Sequence, residues 1–300
     1  MIESVYDGSL DGLFTMLDGI CRDASAPGAL TQEAILPDRI RRVPQVNTTE
    51  GSSQPELFSE PQERPRPIEN QTLHAGAEEL FEVSARAYDE FLHAWMSELP
   101  IEAEIIRFGW KVIAAARDAA WTTARGGGGV SAVSLSMAQI AARAAAEKAG
   151  TDRGDPVVRT VLAAAFKARH EVDRFRGLLR FTPNPAGLYI AHCAPDHFIL
   201  PALGQYFTLR FGETSWAIID EKRRLCLLRA PGEEARLETG LPEELRSGET
   251  RSPGSAAADP WEAWWRHYHH SIHNESRHNP KLQKQFMPIR YWKYLPEVTP

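Results

Sequence analysis

The chain reads as an α+β protein: a small, mostly antiparallel sheet covered by helices, with a helical side bundle and long linkers that lack regular structure. Three observations predict it. An apolar seam from Val158 to Leu179 recurs at alternating steps of three and four residues over a full helix length. Short apolar runs at residues 2–6, 188–193, 215–219 and 224–229 have the length and composition of strands. Stretches 24–72 and 231–258 are rich in Pro, Ser, Glu, Gln or Gly and show no periodicity, so they are expected to be linkers.

In chain order, the strand at 2–6 leads to Ser9, a cap for a helix that buries Leu10, Leu13, Phe14 and Leu17 on one side. Residues 1–23 thus open the core. Within the first linker, Pro61–Pro67 is expected to be extended or disordered, and Leu57-Phe58 is its one apolar pair. Helices are predicted over 75–99 and 101–124, separated by Pro100, with Leu80, Val83, Ala87, Phe91 and Trp95 on one stripe and Ile105, Phe108 and Val112 on the next. Four consecutive glycines at 126–129 are not followed by Lys-Ser or Lys-Thr and do not follow a strand, so they mark a flexible connection (126–154) and not a phosphate loop. The alanine-rich piece 136–149 inside it is helix-prone but has little to bury.

The seam helix starts at Asp155 with Pro156 in its first turn, and carries Arg169, Arg176 and Arg180, flanked by Lys167 and Arg174, as a basic ridge. After the strand at 188–193, Asp196 is expected to cap a helix reaching Phe211, and the two following strands form a hairpin through 220–224. Asp259 is expected to cap a last helix that buries Trp261, Trp264, Trp265, Tyr268 and Ile272 as an aromatic stripe on the core. A basic tail completes residues 259–300, and the bundle, seam helix and sheet together make 73–230.

The net charge of −6 is unevenly spread. Residues 1–155 hold 14 Lys+Arg against 24 Asp+Glu, whereas 156–230 hold 11 against 6, and 259–300 hold 6 against 4 plus five of the ten histidines. Such local positive blocks attract phosphate even on an acidic molecule. No apolar run has the length of a membrane span and the amino terminus lacks the signature of a signal peptide, so a cytoplasmic protein without membrane contact is expected. Cys21, Cys193 and Cys226 are too few and too scattered for a disulfide framework and are expected to be buried thiols.

Two constellations could carry chemistry. Asp196 and His197 follow Pro195 at an expected helix start, where unpaired amides favour an anion and a carboxylate could orient the imidazole for acid–base work. His269 and His273 lie four apart on one helix, but a third metal ligand is missing locally, and no metal site is assigned.

Val5-Tyr6-Asp7-Gly8-Ser9, Gly177-Leu-Leu-Arg-Phe181, Pro195-Asp196-His197 with Ile199-Leu-Pro201, Arg210-Phe211, Asp220 with Lys222-Arg223, Arg277-x-Asn279-Pro-Lys281-Leu-Gln283 and Met287-Pro-x-Arg290-Tyr291-Trp292-Lys293 stand out as motifs. Together they resemble an uncharacterised bacterial family assigned to DNA metabolism and DNA repair. Tyr206 departs from the pattern, which carries histidine there. The resemblance implies a role beside a radical SAM protein, and in some members fusion to a uracil-DNA glycosylase domain; this chain resembles the stand-alone form. It implies no cofactor in this chain, the iron–sulfur cluster and S-adenosylmethionine belonging to the partner. The function expected is therefore a DNA-binding protein of DNA repair, in which Arg176, Arg180, Arg210, Lys222, Arg223, Arg277, Asn279, Lys281, Gln283, Arg290 and Lys293 meet the backbone and Tyr291 or Trp292 stacks on a base. The alternatives are an enzyme acting on DNA or nucleotides through Asp196 and His197, and a scaffold for the radical SAM partner.

Overall fold

The computed structural model describes residues 3–6, 9–23, 39–42, 75–126, 132–184, 187–239, 260–277 and 279–298. Leu57-Phe58, Pro61–Pro67 and the cap expected at Asp259 lie outside them. The chain divides into two compact units, Met1–Gln62 with Thr72–Arg169 and Glu63–Gln71 with His170–Pro300.

In the first unit, β1 (Glu3–Tyr6) pairs in parallel with β2 (Arg39–Arg42), Glu3 opposite Arg39 and Tyr6 opposite Arg42. The opening strand therefore does not join the main sheet, and part of the expected 24–72 linker is a strand. The run Arg-Ile-Arg-Arg is too short and too charged to announce itself; only its pairing with β1 makes it β-structure. Helix α1 (Leu10–Asp23) is capped as expected, the Gly12 amide donating to Ser9 Oγ at 2.9 Å.

The helix expected over 75–99 is two helices, α2 (Ala75–Val83) and α3 (Ala85–Met96). Ser84 breaks it by turning extended and accepting the Ala87 amide on its side chain, a cap that competes with continuing the helix. Helix α4 (Glu102–Gly126) crosses α1 and α3 at Gly109, where a Cβ would stand 3.1 Å from the Phe91 ring and 3.2 Å from Leu17. Phe14 stacks on Phe91 there, with centroids 5.1 Å apart. The expected flexible connection contains a long helix, α5 (Ala132–Thr151), which buries Ala138 and Ala146 in packing on α4. Its small side chains let the helices approach closely, so a weak apolar pattern still finds a partner.

Helix α6 (Pro156–Leu178) begins at a true cap: the amides of Val157 and Val158 donate to Asp155 Oδ1 at 2.7 and 3.3 Å. Its whole seam, Val158, Val161, Ala165, Ala168, Val172, Phe175 and Leu179 just beyond, is buried. In the second unit the sheet runs β3 (Thr182–Pro183), β4 (Tyr189–Cys193), β5 (Trp216–Asp220), β6 (Leu225–Arg229), β7 (Arg236–Thr239) in spatial order. Only β4 and β5 are parallel, because α7 (Leu200–Phe211) carries the chain back between them. Strand β7 lies inside the expected 231–258 linker, a polar edge strand whose Leu237 alone packs on the core.

Val172 and Phe175 from α6, Leu203 and Phe207 from α7, Trp216, Ile218 and Leu227 from the sheet, and Tyr291 form one core. The three cysteines are buried and free; burial pushes the Cys21 and Cys226 thiols up to about 12. The chain closes with α8 (Pro260–Ile272), α9 (Pro280–Phe286) and a 3-10 helix at Ile289–Tyr294. Among the described residues, no helix is long and apolar enough to cross a membrane.

Candidate nucleic-acid interface

Parallel β4 and β5 end at the same edge of the sheet, where open α/β sheets bind their ligands. Here that edge is crowded by polar side chains of this chain. Asp220, fully buried, accepts the amides of Lys222 and Arg223 on Oδ1 at 2.9 and 3.2 Å and the Arg223 guanidinium on Oδ2 at 2.7 Å. Arg223 then donates to the carbonyls of Pro195 and Asp196 at 3.1 and 2.9 Å, and Lys222 Nζ to that of Asp196 at 2.8 Å. The Asp220-x-Lys222-Arg223 motif thus ties the β5–β6 turn to the loop after β4.

That loop corrects the expected cap. Helix α7 starts at Leu200, with Ile199 at its N-cap and no side-chain capping bond, so Asp196 and His197 lie in an irregular loop before it. Pro201 stands in the first helical turn, where the amide it lacks would have had no partner within the helix. The amides of Asp196 and His197 do converge on an anion, but it is internal: they donate to Glu171 Oε1 and Oε2 at 2.9 and 2.8 Å. Glu171 is buried on α6 and was missed at the sequence level. It sits three residues after Ala168 and four before Phe175, on the core stripe, and a charged residue there is the signal that could have found it.

The tail closes the same network. Tyr291, 2% exposed, donates its phenol to Glu171 Oε1 at 2.5 Å and packs edge-on against Phe175. Burial first, then that hydrogen bond, raise its pKa well above the ordinary phenol value. Tyr291 is core, so the expectation that it stacks on a base does not hold. Arg290 donates to the Tyr291 hydroxyl at 2.9 Å, covers its ring and pairs with Asp196 Oδ2. Trp292 is half-buried and donates its indole N–H to the Met287 carbonyl at 2.8 Å. Lys293 and Tyr294 both reach Glu221, at 3.1 and 2.6 Å, with His192 Nδ1 at 3.3 Å from the other oxygen.

The basic ridge of α6 is likewise engaged within each unit. Arg169 pairs with Asp89 and Glu90, Arg176 with Asp173, and Arg180 with the nearly buried carboxylate of Glu297 at 2.5 Å. Arg174 donates to the Gln285 carbonyl, and Arg176 also lies over Tyr206 at 5.4 Å. Asn279 has a local task, accepting the Leu282 amide at 3.0 Å as the cap of α9 with Pro280 behind it, and Gln283 is half-buried in that helix. Arg210, Arg277 and Lys281 are exposed.

Helix α8 reverses its expected orientation. Trp264 is 63% exposed, Trp265 39%, Tyr268 53% and Ile272 57%. The aromatic stripe is there at the expected spacing but lies exposed, and the Arg180 guanidinium lies over the Trp265 ring at 5.3 Å. Among the described residues, no three His, Cys, Asp or Glu side chains lie together as a metal site.

Burial opposes ionisation of Glu221 and Glu297, yet Tyr294 and Lys293 at the first and Arg180 at the second outweigh it and hold both below their ordinary value of 4.5. Both carboxyls therefore lose protons more readily folded than unfolded. The stability this contributes is complete above about pH 4.5 and is lost as the pH falls through the lowered folded values. Thermal melts should drop over that acid window, and Glu297→Gln should flatten the drop; an unchanged pH profile would exclude the Arg180–Glu297 tie as a source.

The model of the domain of unknown function DUF4130 matches residues 131–297, more than half of the chain. The chain belongs to the DUF4130 family. The DUF4130 match begins just before α5 and covers α6, the whole five-stranded sheet and the tail up to Glu297, so the Glu171–Tyr291 network and α8 of this chain both lie within the matched region. No curated protein and no solved structure matches.

Proposed function

We propose that this DUF4130 chain binds DNA and serves DNA repair or DNA metabolism beside a radical SAM enzyme. The observation that carries the reading is the C-terminal segment, where Arg277 and Lys281 stand exposed a few residues after α8, whose Trp264, Trp265 and Tyr268 are exposed as well. Residues 259–300 carry 6 Lys+Arg against 4 Asp+Glu and five histidines, a positive field on an acidic protein. Phosphate contacts belong to Arg277, Lys281 and Arg210; Arg223, Arg180 and Tyr291 support the fold that presents them. The partnership, with its iron–sulfur cluster and S-adenosylmethionine on the radical SAM protein, and the association with a uracil-DNA glycosylase rest on the motif resemblance. The enzymatic alternative through Asp196 and His197 has lost the helix start that recommended it, because Glu171 occupies the amides.

Binding of the full chain to a labelled duplex across a salt series tests the reading. Log affinity should fall linearly with log salt, by about 0.9 per neutralised phosphate, and Arg277→Ala with Lys281→Ala should make the slope shallower by roughly two such steps. A flat response would overturn it.

A further inference from the structure

The loop after β4 carries a half-exposed carboxylate on which cations converge. Lys222 Nζ and Arg223 Nη2 donate to the Asp196 carbonyl at 2.8 and 2.9 Å, and Arg290 Nη2 pairs with Asp196 Oδ2. The β5–β6 turn and the tail thus bring three positive charges to one residue, at the carboxyl edge of the parallel strands.

These charges are unequally compensated. Arg223 has the buried Asp220 as its counter-ion, and the neighbouring Lys293 ammonium lies 3.1 Å from Glu221. Lys222 reaches a carbonyl, whereas Arg290 reaches a phenol and the Asp196 carboxylate. Buried Glu171 also acts on Arg290 through space, but two amides and the Tyr291 phenol already engage its oxygens. One half-exposed carboxylate therefore serves two exposed cations.

That carboxylate is not what holds the loop. The Asp196 backbone does so, its amide donating to Glu171 and its carbonyl receiving Lys222 and Arg223. The side chain adds an ion pair whose partners are 49% and 50% exposed, and such pairs are weak in water. Arg290 is placed independently of the pair: it donates to the Tyr291 hydroxyl at 2.9 Å and lies over that ring at 4.7 Å. Its closest approach to Asp196 uses Nη2, the nitrogen that also serves Tyr291, and not the two-pronged contact a guanidinium makes at its strongest. A phosphate carries more acceptor oxygens than a carboxylate and meets there a guanidinium and an ammonium already in position.

We infer that Lys222 and Arg290 form a phosphate site that the Asp196 carboxylate occupies in the free protein and yields when a ligand phosphate arrives. A DNA backbone and a free phosphorylated ligand both present that group. The first source rests on the DNA-binding reading, and the test separates the two.

Binding of a labelled duplex, followed by anisotropy, and of inorganic pyrophosphate, followed by calorimetry, is compared between the full chain and its Asp196→Asn variant. The variant keeps the backbone ties and removes the competing charge, so it should bind about fivefold more tightly, the factor a half-exposed ion pair can withhold. Adding Lys222→Gln or Arg290→Gln to it should abolish the gain. Lys222→Gln changes an exposed side chain and keeps the test decisive if Arg290→Gln loosens the tail, which thermal melts would reveal. Glu233→Gln removes an exposed carboxylate paired with Arg236 and controls for net charge; its affinities should stay within about twofold of the parent. A gain for the duplex alone assigns the site to the DNA backbone, and a gain for pyrophosphate alone assigns it to a free phosphorylated ligand. Duplex binding absent from both chains, with the pyrophosphate gain present, overturns the DNA-binding reading and leaves the site in place. No gain for either ligand, an equal gain in Glu233→Gln, or a gain that survives Lys222→Gln overturns the site.

Discussion

Replacing Glu171 by leucine should lower the unfolding free energy by about 3–5 kcal/mol, although leucine suits a buried helix position better than glutamate does. The reason lies in what the carboxyl group receives. The amides of Asp196 and His197 and the phenol of Tyr291 all donate to it, and leucine would leave the three donors buried or forced to reorganise. Each abandoned donor costs about 1–3 kcal/mol, and partial relaxation of the loop keeps the total below their sum. Tyr291→Phe removes only one of the three and should cost about 1–3 kcal/mol. The two changes touch one network, so the double variant should lose less than the two losses added. Urea unfolding followed by circular dichroism measures all three variants. A Glu171→Leu protein as stable as its parent would show that the loop after β4 does not depend on this acceptor.

The network also explains which parts of the molecule were readable in the chain. The α6 seam was legible because seven apolar positions obey one period, and a period needs no knowledge of the partner. Strands β4, β5 and β6 were legible as short apolar runs between turn residues. Strand β2 was not, since a two-stranded parallel pair depends on a contact between residues about 36 apart, and its four residues carry three arginines. Helix boundaries failed where a side chain competed with the backbone, at Ser84, or where a distant carboxylate took the amides of the expected first turn, at Asp196 and His197.

The candidate site was legible in composition and not in role. Cations and aromatics were visible, but burial separates them: Arg223 and Tyr291 turn inward to carbonyls and a carboxyl group that no spacing rule encodes, while Trp264 and Tyr268 turn outward although their period matches a core helix. Periodicity fixes which side chains share a face; whether water or protein meets that face depends on what the rest of the chain supplies.

Asp220→Ala is the second substitution with a large expected effect, again about 3–5 kcal/mol, the cost of removing one partner from a buried ion pair. Asp220 is fully buried and the Arg223 side chain is only 11% exposed, so the guanidinium would be left without its counter-charge where water reaches it poorly. The same carboxylate organises the turn after β5 by accepting two amides, in a loop where Arg224 already holds a left-handed backbone (φ 56°) that disfavours a side chain. Asp220→Asn retains an acceptor for the amides and should cost less than Asp220→Ala. In the double variant Asp220→Ala, Arg223→Ala the orphaned charge is gone, so its loss should fall short of the sum of the single losses by about 1–3 kcal/mol. Because Arg223 also holds the carbonyls of Pro195 and Asp196, hydrogen exchange should quicken over residues 194–199 in Asp220→Ala, far from the mutated turn in sequence. Strict additivity of the two single variants, with exchange at 194–199 unchanged, would mean that the turn and the loop are stabilised independently and that the Asp220-x-Lys222-Arg223 motif does not join them.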